Sequence, residues 1–212
     1  LKKLDSINVV IVGGAALDQQ SVDLLQSSKC RVFLTYGMTE TISHIALQKI
    51  NGKQKQETFV ALAGILLEKD ERDCLVIEAK SLGLQPVRTN DVVTLLSETS
   101  FQWLGRWDNV INTGGVKVFP EKIEKEIEKI FYQLDLQNRF FVAGVPDPLL
   151  GSKVTLIIEG DCNGEELNNA IHILRSAVSK YEIPRETKMV PQFIETKTQK
   201  INRSATLQLN SL

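Results

Sequence analysis

The sequence changes character near residue 107, and this change sets the domain organisation that we predict. Before that point the apolar residues fall in short runs that have the length of β-strands. After it they recur at every third or fourth position with charged residues between them, which is typical of one face of a helix. We therefore predict two parts, residues 1–107 and residues 108–212, with a junction at Asp108.

The start of the first part predicts a parallel unit of strand, helix and strand. Residues 8–12 are a β-branched run typical of a buried strand, residues 18–28 have a weak helical pattern, and residues 31–34 form a second apolar run. Residues 35–41 are predicted to form a loop after that second strand. Because ligands of α/β proteins bind at the carboxyl ends of strands, we expect a binding site at this loop.

The remainder of the first part predicts an antiparallel β subdomain over residues 57–104. It has short apolar segments separated by charged or Gly- and Pro-containing turns, and no pattern of a long helix. The segments are residues 59–67, 74–79, 92–96 and 101–104. The first part is thus expected to combine an α/β region with a β subdomain.

The second part predicts a small α+β lobe. Two amphipathic helices are expected, one that begins at Pro120 and one over residues 164–180 with Asn163 as its N-cap. Strands near residues 139–145 and 153–159 lie between them. The apolar stripe of the first helix consists of Ile123, Ile127, Ile130 and Phe131.

Charge and cysteine content favour a small-molecule ligand. The 25 basic and 26 acidic residues are interspersed and give a net charge of −1, so we expect no surface for nucleic acid or for a membrane. Three widely spaced cysteines argue against a disulfide framework and a zinc site, and are typical of a reducing compartment. No apolar run approaches the roughly 20 residues of a membrane span, and no signal-peptide pattern opens the sequence. We expect a cytoplasmic protein, and a homodimer is left open.

Five motifs follow one another in the order found in a known family. They are Gly-Gly-Ala at residues 13–15, Tyr-Gly-Met-Thr-Glu at 36–40, Thr-Asn-Asp at 89–91, a segment at 104–124 that begins Leu-Gly-Arg-Trp-Asp, and Thr-Lys-Thr-Gln-Lys at 196–200. Each short motif alone is explained equally well by a turn or a polar loop. Together they resemble the adenylate-forming superfamily of acyl-CoA synthetases, adenylation domains and luciferases. The resemblance covers nearly the whole chain, and it implies the end of a large α/β domain followed by a small mobile lobe.

The resemblance implies a set of residues that bind ATP and coenzyme A. They are Gly13, Gly14, Ala15, Tyr36, Gly37, Asp91, Arg106, Gly114 and Gly115. In the family the tyrosine ring packs on adenine, and the aspartate accepts both ribose hydroxyls, since a carboxylate has two acceptor oxygens. The arginine contacts the ribose, and the second glycine pair lines the tunnel for pantetheine.

The resemblance also implies three catalytic residues and a hinge. Lys200 is the adenylation lysine, whose ammonium neutralises charge that grows as a carboxylate attacks the α-phosphate. The Thr39 hydroxyl bonds that phosphate, and the Glu40 carboxylate helps to hold Mg²⁺, which prefers oxygen ligands. Asp108 is the hinge about which the small lobe rotates. Lys197 is the alternative candidate for the catalytic lysine.

The chain departs from the family pattern at two positions that matter for loop geometry. Asn90 stands where the family has Gly, and we expect the turn to survive because Asn also tolerates positive φ. Gln199 replaces the Gly that precedes the catalytic lysine, which predicts a stiffer loop. The family's phosphate loop lies far upstream of these motifs and has no counterpart in the chain.

The activity that the resemblance implies is an ATP-dependent acid–CoA ligase with an acyl-adenylate intermediate. Within the superfamily, the segment at 103–117 is most similar to the o-succinylbenzoate–CoA ligases of menaquinone synthesis. The alternatives are another acyl-CoA synthetase, an adenylation domain that loads a carrier protein, and a non-catalytic docking module. Because the phosphate loop and most of the acid pocket are missing, we expect the 212 residues alone to be inactive.

Two histidines have less specific signals. His44 follows the loop at 36–40, where a proton shuttle in the acid pocket is one interpretation and a packed or solvated side chain is the commoner one. His172 falls on the predicted second helix of the lobe, and we expect it at the surface.

Overall fold

The chain is organised as two compact units, Leu1–Trp107 and Asp108–Leu212. The computed structural model describes residues 4–14, 17–79, 83 and 85–210. All three cysteines are free. Within the described ranges, no helix combines the length and the apolar character needed to cross a bilayer. The assignment of the two units to a large domain and a mobile lobe stays a prediction.

The first unit, over its described residues, has one α-helix and one sheet of eight strands. The elements are β1 (Val9–Val12), α1 (Gln19–Gln26), β2 (Arg31–Gly37), β3 (His44–Lys49), β4 (Phe59–Ala61), β5 (Leu66–Lys69), β6 (Cys74–Glu78), β7 (Val87–Ser97) and β8 (Ser100–Arg106). The strands lie in the order β1-β2-β3-β4-β8-β7-β6-β5. β1 and β2 are parallel, which confirms the predicted strand-helix-strand unit. The other neighbouring pairs are antiparallel.

Two apolar clusters stabilise this unit. The smaller one, between α1 and the first strands, is centred on Cys30, Val32 and Ile50. The larger one lies against the antiparallel strands and consists of Ile45, Ala46, Ile65, Leu67, Leu75, Ile77, Ala79, Val93 and Phe101. Burial of apolar surface at about 25 cal/mol per Å² makes such clusters the main favourable contribution to folding.

The predicted β subdomain is antiparallel, as expected, and it continues the sheet that begins with the parallel strands. β3 and β4 connect the parallel strands to the antiparallel ones, so all eight strands share one hydrogen-bonded sheet. β3 was not predicted, because its residues carry no clear alternation of polar and apolar side chains. The segment predicted at 59–67 is two strands, and Gly64, at φ +83°, lies between them.

Two predicted turns are strand in the structure. The loop expected at 35–41 begins only after Gly37, because Thr35 and Tyr36 pair with Leu47 and Ala46 of β3. The Thr-Asn-Asp segment, read as a turn, lies within β7, where Asp91 pairs with Arg106 of β8. Cross-strand pairing therefore outweighs the local turn preference of Asn and Asp.

The second unit, over its described residues, has three α-helices and one five-stranded sheet. The elements are β9 (Ile111–Thr113), β10 (Val116–Val118), α2 (Pro120–Gln133), β11 (Phe140–Asp147), β12 (Gly151–Glu159), α3 (Gly164–Ala177), β13 (Glu186–Val190) and α4 (Arg203–Leu209). The sheet order is β10-β9-β12-β11, and β13 pairs in parallel with β12. The predicted α+β lobe is confirmed.

The helices of this unit start as the sequence predicts. Pro120 is the first residue of α2, and the Asn163 side chain caps α3 by accepting a hydrogen bond from the amide of Glu165 at 2.9 Å. The stripe of α2 packs into the core, and His172 is exposed on α3, as expected. β13 and α4 were not predicted, since both are short. The core consists of Ile111, Val118, Ile123, Ile127, Ile130, Phe131, Val142, Val154, Leu156, Ile158, Leu167, Ala170 and Leu174.

Candidate functional site

Polar side chains of the first unit converge on the carboxylate of Asp91. This residue lies on β7 and is only 6% exposed. Its Oδ2 accepts a hydrogen bond from the Tyr36 hydroxyl at 2.6 Å, and its Oδ1 accepts one from Nε1 of Trp103 at 3.2 Å. Nη1 of Arg106 lies 3.6 Å from the same Oδ1. The structure thus brings together three residues of the predicted nucleotide site, which come from β2, β7 and β8.

Tyr36 is fixed at both ends of its side chain. Its ring meets the ring of Phe101 edge-on, with centroids 5.0 Å apart, and lies 5.7 Å from that of Phe59. Burial, together with the negative charge of Asp91, raises the pKa of the Tyr36 hydroxyl far above its ordinary value. The hydroxyl therefore stays protonated and remains a donor to the carboxylate at every physiological pH.

The remaining hydrogen-bonding capacity of Asp91 suits a ligand with two hydroxyl donors. Each carboxylate oxygen has two lone pairs, so the hydrogen bonds from Tyr36 and Trp103 leave one acceptor position on each oxygen. Nη1 of Arg106, at 3.6 Å from Oδ1, lies beyond hydrogen-bond distance. The backbone amide of Asp91 is separately satisfied by Oγ1 of Thr89 at 3.0 Å. The Arg106 side chain is 46% exposed, whereas that of Asp91 is 9% exposed. The cluster therefore presents a fixed acceptor beside an accessible cation.

An open cleft of about 400 Å³ lies at the carboxyl ends of β1 and β2. Its lining consists of Gly14, Thr35, Gly37, Met38, Thr39, Ile42, Ser43 and His44. Three of these belong to the predicted site, and the position is the one at which parallel sheets bind ligands. Ala15, also predicted for this site, lies outside the described residues.

Two glycines beside the cleft allow close backbone approach. A Cβ atom at Gly13 would collide with Oγ1 of Thr35, and one at Gly37 would lie 2.5 Å from the carbonyl oxygen of Ser43. The clash at Gly37 is with backbone, so this position requires glycine, whereas the Thr35 side chain would have to move to admit a Cβ at Gly13. The glycine of the Tyr-Gly motif thus has a packing function.

The loop that follows β2 presents Thr39 and Glu40 to solvent. Both lie in a short 3₁₀ turn, Thr39–Thr41, and are exposed. The turn is held by the buried Thr41, whose Oγ1 donates to the carbonyl of Ser43 at 2.8 Å and accepts from the amide of Met38 at 3.0 Å. The exposed pair therefore sits on a loop of defined shape.

The donor set of this loop fits Mg²⁺ that is bound chiefly by a nucleotide. Among the described residues there is no group of three His, Cys, Asp or Glu side chains that could hold a metal. Mg²⁺ commonly keeps several waters and uses one or two carboxylates together with substrate phosphates. The single exposed carboxylate of Glu40 is of the kind this arrangement needs.

Sequence reasoning missed two residues of the site. Trp103 donates to Asp91, and its only sequence signal was its position three residues before Arg106. Ile42 lines the cleft and has φ +65°, which is an uncommon backbone conformation for a β-branched residue. Its apolar side chain is also 79% exposed. Backbone strain at an exposed loop residue is typical of functional sites. No sequence pattern distinguishes such a residue from an ordinary isoleucine.

Lys200 lies in the second unit, at the end of an exposed hairpin loop. Glu195 and Ile201 form an antiparallel bridge, and the Thr196 amide donates to the carbonyl of Lys200 at 2.8 Å. The Gln199 amide closes the turn on the carbonyl of Thr196 at 2.9 Å. Gln199 has φ +60°, a conformation that glycine adopts without strain. The family's Gly at this position is therefore explained by backbone geometry, and Lys197 is also exposed in the same loop.

The other predicted residues of the second unit lie in a hairpin and at the unit boundary. Gly114 and Gly115 join β9 to β10 with φ values of +56° and +81°, which is the two-residue turn that matches strand twist. The Gly114 amide donates to the carbonyl of Leu150 at 3.0 Å. Asp108 is the first residue of this unit and lies in a short 3₁₀ turn, Trp107–Asn109.

Comparisons with known proteins define the class. No protein-family model matches the chain. It is 39% identical to the acyl-CoA synthetase (AMP-forming)/AMP-acid ligase II-like protein of Dyadobacter fermentans over 95% of its length and 57% of that chain, with a TM-score of 0.50. By sequence and by fold, the chain is a relative of the adenylate-forming acyl-CoA ligases, which confirms the resemblance found in its motifs.

Within this class, the relatives that match nearly the whole chain include succinylbenzoate–CoA ligases. The 2-succinylbenzoate–CoA ligase of Lactococcus lactis is 23% identical over 94% of the chain and 46% of its own length. The fold is also that of o-succinylbenzoate–CoA synthetase from Bacillus subtilis in complex with ATP and magnesium, at 18% identity and a TM-score of 0.71, covering 97% of the chain and 49% of the enzyme. The chain therefore spans about half the length of these relatives.

Proposed function

We propose that the chain forms the ribose-binding and lysine-bearing part of an ATP-dependent acid–CoA ligase. In the first half-reaction a carboxylate oxygen attacks the α-phosphorus of ATP, pyrophosphate leaves, and an acyl adenylate forms. In the second, the thiol of coenzyme A attacks the acyl carbon, loses its proton and displaces AMP. Shorter matches to medium- and long-chain fatty-acid–CoA ligases, at 28% identity over 55% of the chain, support the same class.

The observation that carries the proposal is the set of contacts at Asp91. One carboxylate accepts hydrogen bonds from Tyr36 and Trp103 and lies beside the guanidinium of Arg106. It is nearly buried, yet each of its oxygens retains an acceptor position. Burial of a charge is costly unless partners compensate for it, so this acceptor is built into the fold rather than incidental. A vicinal diol such as that of ribose is the ligand chemistry that it suits.

The other residues have roles that follow from charge and position. The Thr39 hydroxyl would bind an oxygen of the α-phosphate, and Glu40 would hold Mg²⁺ on the triphosphate, where the ion lowers the repulsion between the two reacting anions. The Lys200 ammonium would stabilise the negative charge on the oxygens around the α-phosphorus in the transition state. Glu40 and Thr39 would act by orientation, since their loop is held from beneath by Thr41.

The proposed coenzyme A half-reaction uses the second unit. The hairpin turn of Gly114 and Gly115 carries no side chains, so a pantetheine arm could lie against its backbone. Asp108, exposed at the unit boundary, would be the hinge for the change between half-reactions. Hinges are often a few residues at element ends that absorb a change in φ and ψ.

We propose o-succinylbenzoate as the acid and menaquinone synthesis as the context. The support is that the relatives named for this acid in Lactococcus lactis and Escherichia coli match 94% of the chain, whereas the fatty-acid ligases match 55%. The second candidate is a ligase for another carboxylic acid, favoured by those fatty-acid relatives. A reducing compartment, the cytoplasm, suits three free cysteines.

The test is an acid-dependent exchange of pyrophosphate into ATP by the full-length protein. Exchange should require Mg²⁺ and o-succinylbenzoate, and addition of coenzyme A should then yield the thioester and AMP. Exchange with a fatty acid and none with o-succinylbenzoate would contradict the proposed acid but retain the class. Absence of exchange with any acid, from protein that binds ATP, would contradict the ligase function itself.

A further inference from the structure

Lys200 is exposed, but the chain that follows it is bound firmly to the body of the second unit. Arg203, at the start of α4, donates from Nη2 to Oε2 of Glu124 on α2 at 2.8 Å. Its Nη1 donates to the carbonyl oxygen of Val142 on β11 at 3.1 Å. The guanidinium also lies over the ring of Phe141, 5.7 Å from its centroid. One side chain thus ties the exit of the lysine loop to a helix and to the central sheet.

Glu124 completes this network, because it also binds the backbone of Val142. Its Oε1 accepts a hydrogen bond from the amide of Val142 at 2.7 Å, so Glu124 and Arg203 bind the two polar groups of one residue. The two side chains are only 18% and 24% exposed. Burial raises the pKa of the Glu124 carboxyl, and the charge and hydrogen bond of Arg203 oppose that rise. The ion pair is therefore partly buried and mutually dependent.

The chain between Lys200 and Arg203 has little freedom. Ile201 packs against the cluster that contains Phe141, and the Asn202 side chain caps α4 by accepting from the amide of Ala205 at 3.1 Å. The Asn202 amide also donates to the carbonyl of Ile194 at 2.7 Å, which fixes the other strand of the loop. A displacement of α4 would therefore move the backbone of Lys200 with it.

We infer that Arg203, paired with Glu124, is a positioning residue that holds Lys200 for the adenylation step. This inference rests on the proposed function, because only adenylation gives Lys200 a charge to neutralise. A cation that stabilises developing charge must be placed in advance, and a misplacement of about 1 Å costs about a hundredfold in rate. Arg suits this position because its planar group presents donors to two acceptors in fixed directions, whereas the ammonium of Lys is a compact charge on a flexible stem.

The experiment measures the two half-reactions separately in full-length variants. In Arg203→Met, pyrophosphate exchange should fall by about tenfold to a hundredfold, while thioester formation from supplied acyl adenylate should change by less than about twofold. Arg203→Lys should recover part of the exchange rate. Glu124→Gln, which keeps the shape and an acceptor, should lower the same half-reaction by a smaller factor.

A matched control and a double variant decide between positioning and general stability. Lys153→Met removes an ion pair to Glu186 of the same length, 2.8 Å, in the same unit, and it should leave both half-reactions unchanged. In a Lys200→Ala background, Arg203→Met should cause no further loss of exchange. Equal losses in both half-reactions, or an additional loss in that background, would overturn the inference. If Lys200→Ala alone leaves exchange intact, the proposed role of Lys200 fails first, and the inference fails with it.

Discussion

Asp91 and Lys200 are both charged residues of the candidate site, and the structure holds them in opposite ways. Asp91 lies on a central strand, nearly buried, with three side chains directed at its carboxylate. Lys200 lies on an exposed hairpin, where its backbone is held by Thr196 and the residue itself is exposed. A group that binds the ground state can be rigid throughout the cycle, whereas a group that serves one of two half-reactions has to be able to leave.

The largest expected effect is that of removing the exposed residue of this comparison, Lys200. Lys200→Ala in the full-length protein should lower pyrophosphate exchange by about a hundredfold to a thousandfold, because it removes one charge that stabilises the transition state. Thioester formation from supplied acyl adenylate should persist, and rapid-quench assays of each half-reaction measure this. Lys197→Ala, in the same exposed loop, is the matched control and should retain exchange. The reverse outcome would assign the catalytic role to Lys197.

The next largest effect is expected at Asp91, the nearly buried residue of the comparison. Asp91→Asn should weaken ATP binding by about tenfold to a hundredfold, because it removes an acceptor and leaves the donors around it partly unsatisfied. Calorimetric titration with MgATP gives the dissociation constant. Asp73→Asn is the control, since Asp73 is an exposed carboxylate in the turn between β5 and β6 that pairs with Lys69 at 2.7 Å. Equal affinities for the two variants would show that Asp91 has only a structural role.

A smaller effect is expected from the backbone of the lysine loop. Gln199→Gly should raise the free energy of unfolding by up to about 1 kcal/mol, because a side chain at φ +60° is strained and glycine is not. Melting temperature by calorimetry should rise by a few degrees. Thr198→Gly, at a position without positive φ, should lower it. A fall for Gln199→Gly would mean that the Gln199 side chain makes compensating contacts.

The smallest effect concerns pH and a structural carboxylate outside the site. Burial would raise the pKa of Glu182, but the hydrogen bonds from Lys122 and from the Ser179 amide outweigh burial, so the pKa lies below its ordinary value. A lowered pKa stabilises the fold above the ordinary value and loses this contribution as pH falls through the folded value. The melting temperature of wild type should therefore exceed that of Glu182→Gln near pH 7. The difference should begin to shrink as the pH falls below about 4.3, the ordinary value of a glutamate, and should vanish below the lower folded value, so a constant difference would contradict the assignment.

Sequence patterns predicted the elements that rest on local periodicity or capping. The stripe that begins at Pro120 and the cap at Asn163 correspond to α2 and α3, because each depends on residues a few positions apart. The motifs assigned Asp91 and Arg106 to one ligand, the ribose, and the structure pairs these two residues although they are 15 positions apart.

The remainder depends on pairing between distant residues, which no local pattern encodes. β3 joins the two halves of the sheet through its partners on β2 and β4, and Asp91 lies in a strand because Arg106 pairs with it. Tyr36 and Asp91 are 55 positions apart in the sequence, and their hydrogen bond holds the tyrosine hydroxyl against the carboxylate. No local pattern around either residue indicates this contact. The strain at Ile42 and the indole contact of Trp103 likewise follow from tertiary structure.

The most direct test compares ATP with 2′,3′-dideoxy-ATP as ligands of wild type and Asp91→Asn. If the Asp91 carboxylate accepts the ribose hydroxyls, wild type should bind ATP more tightly than the dideoxy analogue by about tenfold or more, and the variant should bind both alike. Calorimetry of the four combinations gives the coupling between the carboxylate and the diol. Discrimination that persists unchanged in Asp91→Asn would contradict the proposal that the buried carboxylate is a ribose site.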